Sequence, residues 1–220
     1  IVSGSGDINV VTRGDLALGD RLKTTAPGTI YLSSQGSVTI SSMNIQGVEL
    51  GVSANDDILV GQIDAGNGKV WLTSAGNIFD NDNSNSTINI TASAAILRAS
   101  EKIGNSGVGT SNSRAITTRV DTLSANADDG IYLQEQDGLS IDRVTSTVQR
   151  VYFNSNTAPL SLSQEDLTTT VNGPILMQSL QGDILVRSGT DGEPGIWANG
   201  TGNVLLQTVA GTIRTQADVR

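Results

Sequence analysis

The stretch Ile30-Tyr31-Leu32-Ser33-Ser34-Gln35-Gly36-Ser37-Val38-Thr39-Ile40 decides the fold of this chain. At both of its ends, apolar residues alternate with other residues at a period of two, which is the pattern of a half-buried β-strand. A short bend containing Gly36 separates the two strands, and it is too short for a crossover between the sheets of a sandwich. The stretch therefore predicts two strands on neighbouring faces of one repeating unit.

The same phrase returns along the chain, which indicates a repeat architecture. It begins at Ile30, Val70, Ile131, Ile175 and Val204, so the intervals are 40, 61, 44 and 29 residues. Three of these intervals lie near multiples of roughly 20–22 residues, a common length for one coil of a parallel β-helix, and the last indicates an insertion.

A parallel β-helix is therefore favoured over a sandwich or a barrel, which also contain many short strands. Strong hairpin signals such as Asn-Gly between matched alternating strands are few. The short runs Val151–Asn154 and Leu160–Ser163 are accordingly predicted as strands of the repeat. Glycine at each bend is expected because the backbone there would need a positive φ. The prediction is an all-β solenoid of about 10 coils of roughly 20–22 residues.

Composition excludes several kinds of chemistry. The 220 residues include no Cys and no His, which excludes disulfides, thiol catalysis, Ser-His-Asp triads and His-bound zinc. The formal net charge is -9, and an acidic balance disfavours nucleic acid as a partner. No run of about 18 apolar residues occurs, so no membrane insertion is expected.

Six segments together form a further pattern of glycine and alternating apolar residues: Lys102–Asn105, Arg114–Asn126, Gly130–Glu135, Leu139–Val144, Gly202–Gln207 and Gly211–Ile213. They resemble the repeats of giant bacterial surface proteins of the filamentous-haemagglutinin-like and large autotransporter type. The resemblance implies a right-handed parallel β-helix (β-solenoid) with adhesive or structural roles, secreted or anchored at the cell surface, and it transfers no catalytic residue. Because the chain begins at Ile1 and ends in mid-pattern, residues 1–220 are expected to be a single elongated segment of a longer repetitive protein.

One acidic stretch has the alternation of a calcium loop. Asp80, Asp82 and Ser84 follow a D-x-D-x-S pattern whose oxygens can surround Ca²⁺. The glycine and glutamate of an EF-hand are missing, so a solvated polar turn is the alternative. The pair Asp56-Asp57 precedes a predicted strand and is expected to form Asx-turns rather than a metal site. No other cofactor is expected.

Three aromatic residues occupy the same place in the phrase. Tyr31, Trp71 and Tyr132 each stand between two inward aliphatic residues, so they should point outward, one above another. Such an exposed aromatic ladder could stack on sugar rings or on a partner rod. The alternative is a cross-strand stack that stabilises the sheet.

The function predicted from these patterns is a non-catalytic, extracellular structural or adhesive segment that forms a rigid rod or filament on the bacterial surface. Its expected partners are further copies, end to end or side by side, and glycans or other cell-surface molecules. A carbohydrate-binding or carbohydrate-cleaving β-helix protein is one alternative, with Asp137 and Asp142 or Glu165 and Asp166 as acid pairs. A calcium-dependent binding module is the other.

Overall fold

Every regular element of the described chain is a β-strand. The computed structural model describes residues 1–19, 22–82, 87–106, 114–187, 190 and 192–220. The strands are β1 Ile8–Thr12, β2 Leu16–Leu18, β3 Ile30–Ser34, β4 Val38–Asn44, β5 Leu50–Ala54, β6 Ile58–Asp64, β7 Lys69–Ser74, β8 Ile78–Asp80, β9 Ile90–Ala99, β10 Lys102–Ile103, β11 Ile116–Ala127, β12 Gly130–Glu135, β13 Leu139–Ile141, β14 Val144–Val151, β15 Thr157–Gln164, β16 Leu167–Thr169, β17 Ile175–Ser179, β18 Ile184–Val186, β19 Ile196–Ala198, β20 Val204–Thr208 and β21 Ile213–Thr215.

The strands form three parallel ladders, and the chain visits them in a fixed order. Ladder 1 runs through β1, β3, β5, β7, the second half of β9, the end of β11, β16 and β19. Ladder 2 runs through β2, β4, β6, β8, β10, β12, β17 and β20. Ladder 3 contains the ends of β4 and β6, the start of β9, the middle of β11, then β13, β18 and β21. One passage through the three ladders is called a level below.

Stacking in register explains why the apolar pattern repeats. Ile8 pairs with Ile30, Ile30 with Leu50, and Leu50 with Val70. Inward residues of this kind are almost completely buried and belong to one core that contains residues of all three ladders. Since a single level has no second layer to cover its apolar face, the levels bury the core only by stacking.

The levels become longer along the chain. Contacts between neighbouring levels join residues 22 and then 20 positions apart in the first half, but 28 and 29 positions apart later. The expected length of 20–22 residues therefore holds only for the first levels. Asn105 and Arg114 pair in an antiparallel bridge, so the eight residues between them in the sequence add to the length of that level. Ladder 1 contains eight strands within the described residues, fewer than the ten coils expected.

The repeated phrase does not stay on one face, so the interval of 61 residues is not three repeats. Val70 lies in ladder 1 and pairs with Ala95, whereas Ile131 lies in ladder 2 and pairs with Ile103. All three ladders bury alternate residues in the same way. The phrase therefore has the same pattern in every ladder, and the sequence does not show its change from ladder 1 to ladder 2.

The largest departure from the expected repeat is an antiparallel hairpin, β14–β15. Its register runs from Val144 opposite Gln164 to Val151 opposite Thr157. The prediction of Val151–Asn154 and Leu160–Ser163 as strands of the repeat is therefore wrong. The connecting turn, Tyr152–Asn156, places Ser155 at φ 64 and contains no Asn-Gly or Asp-Gly pair, so the usual hairpin signal is missing.

Candidate functional site

The hairpin lies across ladder 1 and is held by one polar residue from each of four successive levels. The Lys69 ammonium donates to the Thr145 carbonyl at 2.7 Å, and a Glu49 carboxylate oxygen accepts from the Thr147 amide at 2.7 Å. One level earlier, the Thr29 hydroxyl accepts from the Gln149 amide at 2.7 Å. In the first level, the Asn9 side chain donates to the Gln149 carbonyl and accepts from the Val151 amide. These bonds satisfy the free edge of β14, which would otherwise be open to aggregation.

Beneath the hairpin lies a second, smaller apolar cluster. Trp71 and Ile96 of ladder 1 pack against Val144 and Val148 of β14, and Tyr31 adjoins them. The Tyr31 and Trp71 ring centroids are 5.8 Å apart, with Gly51 between them in the ladder. Trp71 is only 4% exposed. The expectation of an exposed aromatic ladder is therefore wrong for Trp71, because the hairpin covers it.

Tyr132 does not continue this row. It lies in ladder 2, where it pairs with Leu176, whereas Tyr31 and Trp71 lie in ladder 1. Its side chain is buried, and burial raises the pKa of its phenol. Tyr132 is consequently no part of an aromatic surface shared with the other two residues.

Asp80 belongs to a buried hydrogen-bond network around Asn89. The Asn89 amide nitrogen donates to an Asp80 carboxylate oxygen at 2.8 Å and to the carbonyls of Val60 and Gly61, both at 2.9 Å. The Asn89 oxygen accepts from the Thr117 amide at 2.8 Å. Burial raises the pKa of Asp80. The network links three levels, and this structural role accounts for the burial of Asp80.

Of the other two residues of the expected calcium loop, only Asp82 lies within the described residues. Asp82 is exposed, and its backbone amide donates to Asp80 at 3.2 Å. Ser84 lies outside the described residues. No group of three acidic side chains within the described ranges is placed to hold a metal ion.

Aspartates and asparagines at the starts of strands bind the next level rather than their own turn. An Asp57 carboxylate oxygen accepts from the Asn77 amide at 2.7 Å, and the Asn77 side-chain oxygen accepts from the Lys102 amide at 3.1 Å. The expected Asx-turn at Asp57 is therefore replaced by a bond 20 residues away. A Cβ on Gly76 would lie 2.5 Å from the same Asp57 oxygen, and Gly76 has no positive φ. Glycine is required there by this close approach.

Three of the four carboxylates considered for sugar cleavage have a partner on the surface, and the fourth, Asp166, is buried with 3% of its surface exposed. Asp137 lies 3.7 Å from the Arg119 guanidinium, and Asp142 lies 3.4 Å from that of Arg187. Glu165 accepts from the Thr190 amide at 2.6 Å. Asp137 and Asp142 therefore face two different arginines.

Glu135 is a fully buried acid in the strand of Tyr132. The Thr118 hydroxyl donates to it at 2.5 Å, and the amides of Val120 and Asp137 donate at 3.3 Å. Burial outweighs these bonds and raises the pKa of Glu135 to about 8. The carboxyl group is therefore largely protonated at neutral pH.

The end of the molecule at β1 carries an apolar groove. Its volume is about 620 Å³, and it lies between the first strand and the hairpin turn. Phe153 is fully exposed on one side, and Val11 is 71% exposed on the other. The residues that line it are Ile1, Ser3, Asp7, Ile8, Asn9, Val11, Arg150, Val151, Tyr152 and Phe153.

Sequence reasoning missed the hairpin and the four residues that hold it. One signal was present: the chain has 25 glycines, yet none occurs between Gly138 and Gly173. The ladders also pass through a second run without glycine, 77–103, but that run is shorter, so the length of this gap favours an inserted element. No comparable signal marks the four polar residues, because Thr, Glu and Lys are ordinary at the start of a surface strand.

Compared with protein-family models, curated proteins and solved structures, the chain matches none of them. The described part of the chain also contains no helix with the length and apolar character needed to cross a membrane.

Proposed function

We propose that the chain is a non-catalytic, extracellular structural or adhesive segment, built as a right-handed parallel β-helix that forms a stiff rod on a bacterial surface. The observation that carries the proposal is the in-register stacking of parallel strands in three ladders over one core. At about 4.8 Å per level, eight levels extend the stack by roughly 40 Å. Further levels in a longer protein would lengthen the rod without changing its cross-section.

The way the strands are connected supports right-handed winding. Successive strands of ladder 1 are parallel, and the chain returns to that ladder after passing through the other two. Connections between parallel strands are almost always right-handed, because the strand twist favours that hand. This supports the right-handed form over its mirror arrangement.

Several polar side chains hold the fold together, and this supports a passive, structural role for the protein. Asp80 and Asn89 are committed to a buried network, and Glu49 to the hairpin. A calcium-dependent module would lose thermal stability in a chelator such as EDTA. The proposed segment should keep its melting temperature unchanged when EDTA replaces calcium in the buffer.

Immunogold electron microscopy tests the proposed role directly. Antibody against the purified chain should label extended rods on the surface of intact cells that make the protein. Antibody absorbed beforehand with the purified chain is the control. Label found only after the cells are opened would overturn the surface location, and label on isolated globules would overturn the rod.

A further inference from the structure

A cavity of mixed character lies on the outer face of ladder 2, in the middle of the stack. Leu59 of β6 and Phe79 of β8 are partners in register. Their neighbours Ile58, Val60 and Ile78 are buried, so alternation places both side chains on the outer face. The cavity has a volume of about 310 Å³ and is lined by Leu59, Phe79, Asp80, Asn81, Asn105 and Arg114. It therefore combines an apolar pair with amide and charged side chains.

Two of the polar side chains at this cavity are not used by the fold. Amide groups elsewhere join neighbouring levels, as those of Asn77 and Asn89 do. The side chains of Asn81 and Arg114, by contrast, make no hydrogen bond and no ion pair with the protein in the described ranges. Both side chains are exposed. They are consequently available to a ligand in the cavity.

The chemistry of the lining fits a neutral sugar ring. A pyranose presents C–H groups on one face and hydroxyl groups around its edge. An aromatic ring such as that of Phe79 packs well against such C–H groups. Hydroxyl groups both donate and accept, so they suit the Asn81 amide and the N–H groups of Arg114. The volume is near the lower limit of ligand pockets, which fits one sugar unit rather than a long oligosaccharide.

Other classes of ligand fit less well. A metal cation would lie beside the Arg114 guanidinium, and a phosphate would lie beside the Asp80 carboxyl group, so either ion meets a group of its own sign. A purely apolar molecule would leave the Asn81 and Arg114 donors without hydrogen bonds. A peptide strand cannot add here, because β8 is already paired with β6 on one side and with β10 on the other.

We propose that this cavity binds one neutral pyranose unit of a glycan, with the Phe79 ring against one face of the sugar and with Asn81 and Arg114 at its hydroxyl groups. The inference rests on the proposed function, since an adhesive segment needs a surface that recognises a partner. A ligand of this size should bind weakly, with a Kd on the order of 1 mM. Many copies on one surface would make the overall attachment much stronger.

Saturation-transfer NMR with the purified chain tests the inference. The probes are the methyl glycosides of glucose, galactose, mannose and N-acetylglucosamine, each added alone at about 10 mM, roughly ten times the expected Kd. At least one should receive saturation from the protein, most strongly at the C–H protons of one ring face. A titration then gives its Kd. Glucuronate is the charged comparison and should bind more weakly than that glycoside.

Two pairs of variants locate the binding at this cavity. Phe79→Ala should weaken it by about fivefold or more, because the stacking surface is lost. Phe153→Ala is the matched control, since it removes a fully exposed ring on the hairpin turn, and it should bind like the wild type. Asn81→Ala should weaken binding by about threefold to tenfold through one lost hydrogen bond. Asn55→Ala, at an exposed turn before β6, is its control and should change nothing.

Several results would overturn the inference. They are the absence of saturation transfer to all four glycosides, tighter binding of glucuronate, and binding that is lost in Phe153→Ala instead of Phe79→Ala. Melting temperatures show whether each variant is folded. If Phe79→Ala is unfolded, Asn81→Ala decides, because its side chain is exposed, and wild-type affinity in that variant counts against the cavity. A chain that binds no sugar would still label as rods in the microscope, so the two proposals can fail separately.

Discussion

At the scale of single residues, the turns are built from a carboxylate or amide on one level and a glycine on the next. Asp57 accepts from the Asn77 amide, and Gly76 leaves the space that the Asp57 side chain occupies. Such a bond between an ionised group and a backbone amide is stronger than a bond between neutral groups. The stacking of levels is thus specified at the turns as well as in the core.

Glu135 predicts a pH dependence of stability. Its pKa is raised from the ordinary value of 4.5 to about 8 in the folded chain, so between these values the folded state holds a proton that the unfolded state has lost. The free energy of unfolding should therefore fall as pH rises from about 4.5 to 8, by up to about 1.4 kcal/mol per pH unit. Below this window both states are protonated, and above it both are ionised.

Urea unfolding at each pH measures this effect. Glu135→Gln keeps a neutral group of the same shape, so the variant should lose this slope and be more stable than the wild type near pH 9. Asp129→Asn, which changes an exposed carboxyl group, is the control. The same slope in the wild type and in Glu135→Gln would contradict the prediction.

The sequence could predict that Asp57 and Gly76 lie at turns, but it could not predict what Asp57 binds. Asp57 stands before a strand in the printed sequence, and a local turn is the usual partner for such a residue. Its actual partner, Asn77, is identified only when the level length is known. Glu135 carries no signal at all, because its burial depends on the packing of distant strands.

At the scale of elements, the hairpin differs from every other strand pair within the described residues. It is antiparallel, lies outside the ladders, and covers Trp71 and Ile96 with Val144 and Val148. Its alternating Ser, Thr, Val and Leu residues resemble those of the repeat strands, so composition does not separate it from them. Only the absence of glycine indicates that the repeat is interrupted there.

Trp71 should contribute most of the stability that the hairpin gives. Trp71→Ala would leave a cavity between ladder 1 and β14, and the free energy of unfolding should fall by about 3–5 kcal/mol. Phe153→Ala removes a fully exposed ring of the hairpin turn, and it should change the free energy of unfolding by less than about 0.5 kcal/mol. Urea denaturation of both variants checks the pair. Equal losses would mean that the hairpin does not pack on Trp71.

At the scale of the whole molecule, the fold is a stack in which each level, the hairpin apart, contacts only its neighbours. The all-β class and the parallel stacking follow from the phrase around Ile30, because its period and its bend apply to every level. The number of levels and the face of each strand do not follow, because the extension before Arg114 and the hairpin change the spacing. The insertions are tolerated because they interrupt the chain between ladder strands, so the ladders themselves stay continuous.

Stacking predicts that stability is unequal along the molecule. Leu72 is fully buried in a middle level, so Leu72→Ala should lower the free energy of unfolding by about 2–5 kcal/mol. Leu206 lies in the last level and is half-buried, so Leu206→Ala should lower it by less than about 1 kcal/mol. Amide hydrogen exchange should be slowest in β5 and β7 and fastest at the two ends. Uniform exchange along the ladders would contradict this gradient.

The path of the hairpin across four levels has a mechanical consequence. A force applied along the stack separates the levels one after another, because it breaks the strand-to-strand hydrogen bonds between two levels before those of the next pair. The bonds from Lys69, Glu49, Thr29 and Asn9 join four levels to one continuous strand. Under tension these bonds are loaded together, in shear. The first four levels would then separate only after β14 has slid off all of them. This part of the molecule should therefore be the last to separate under force.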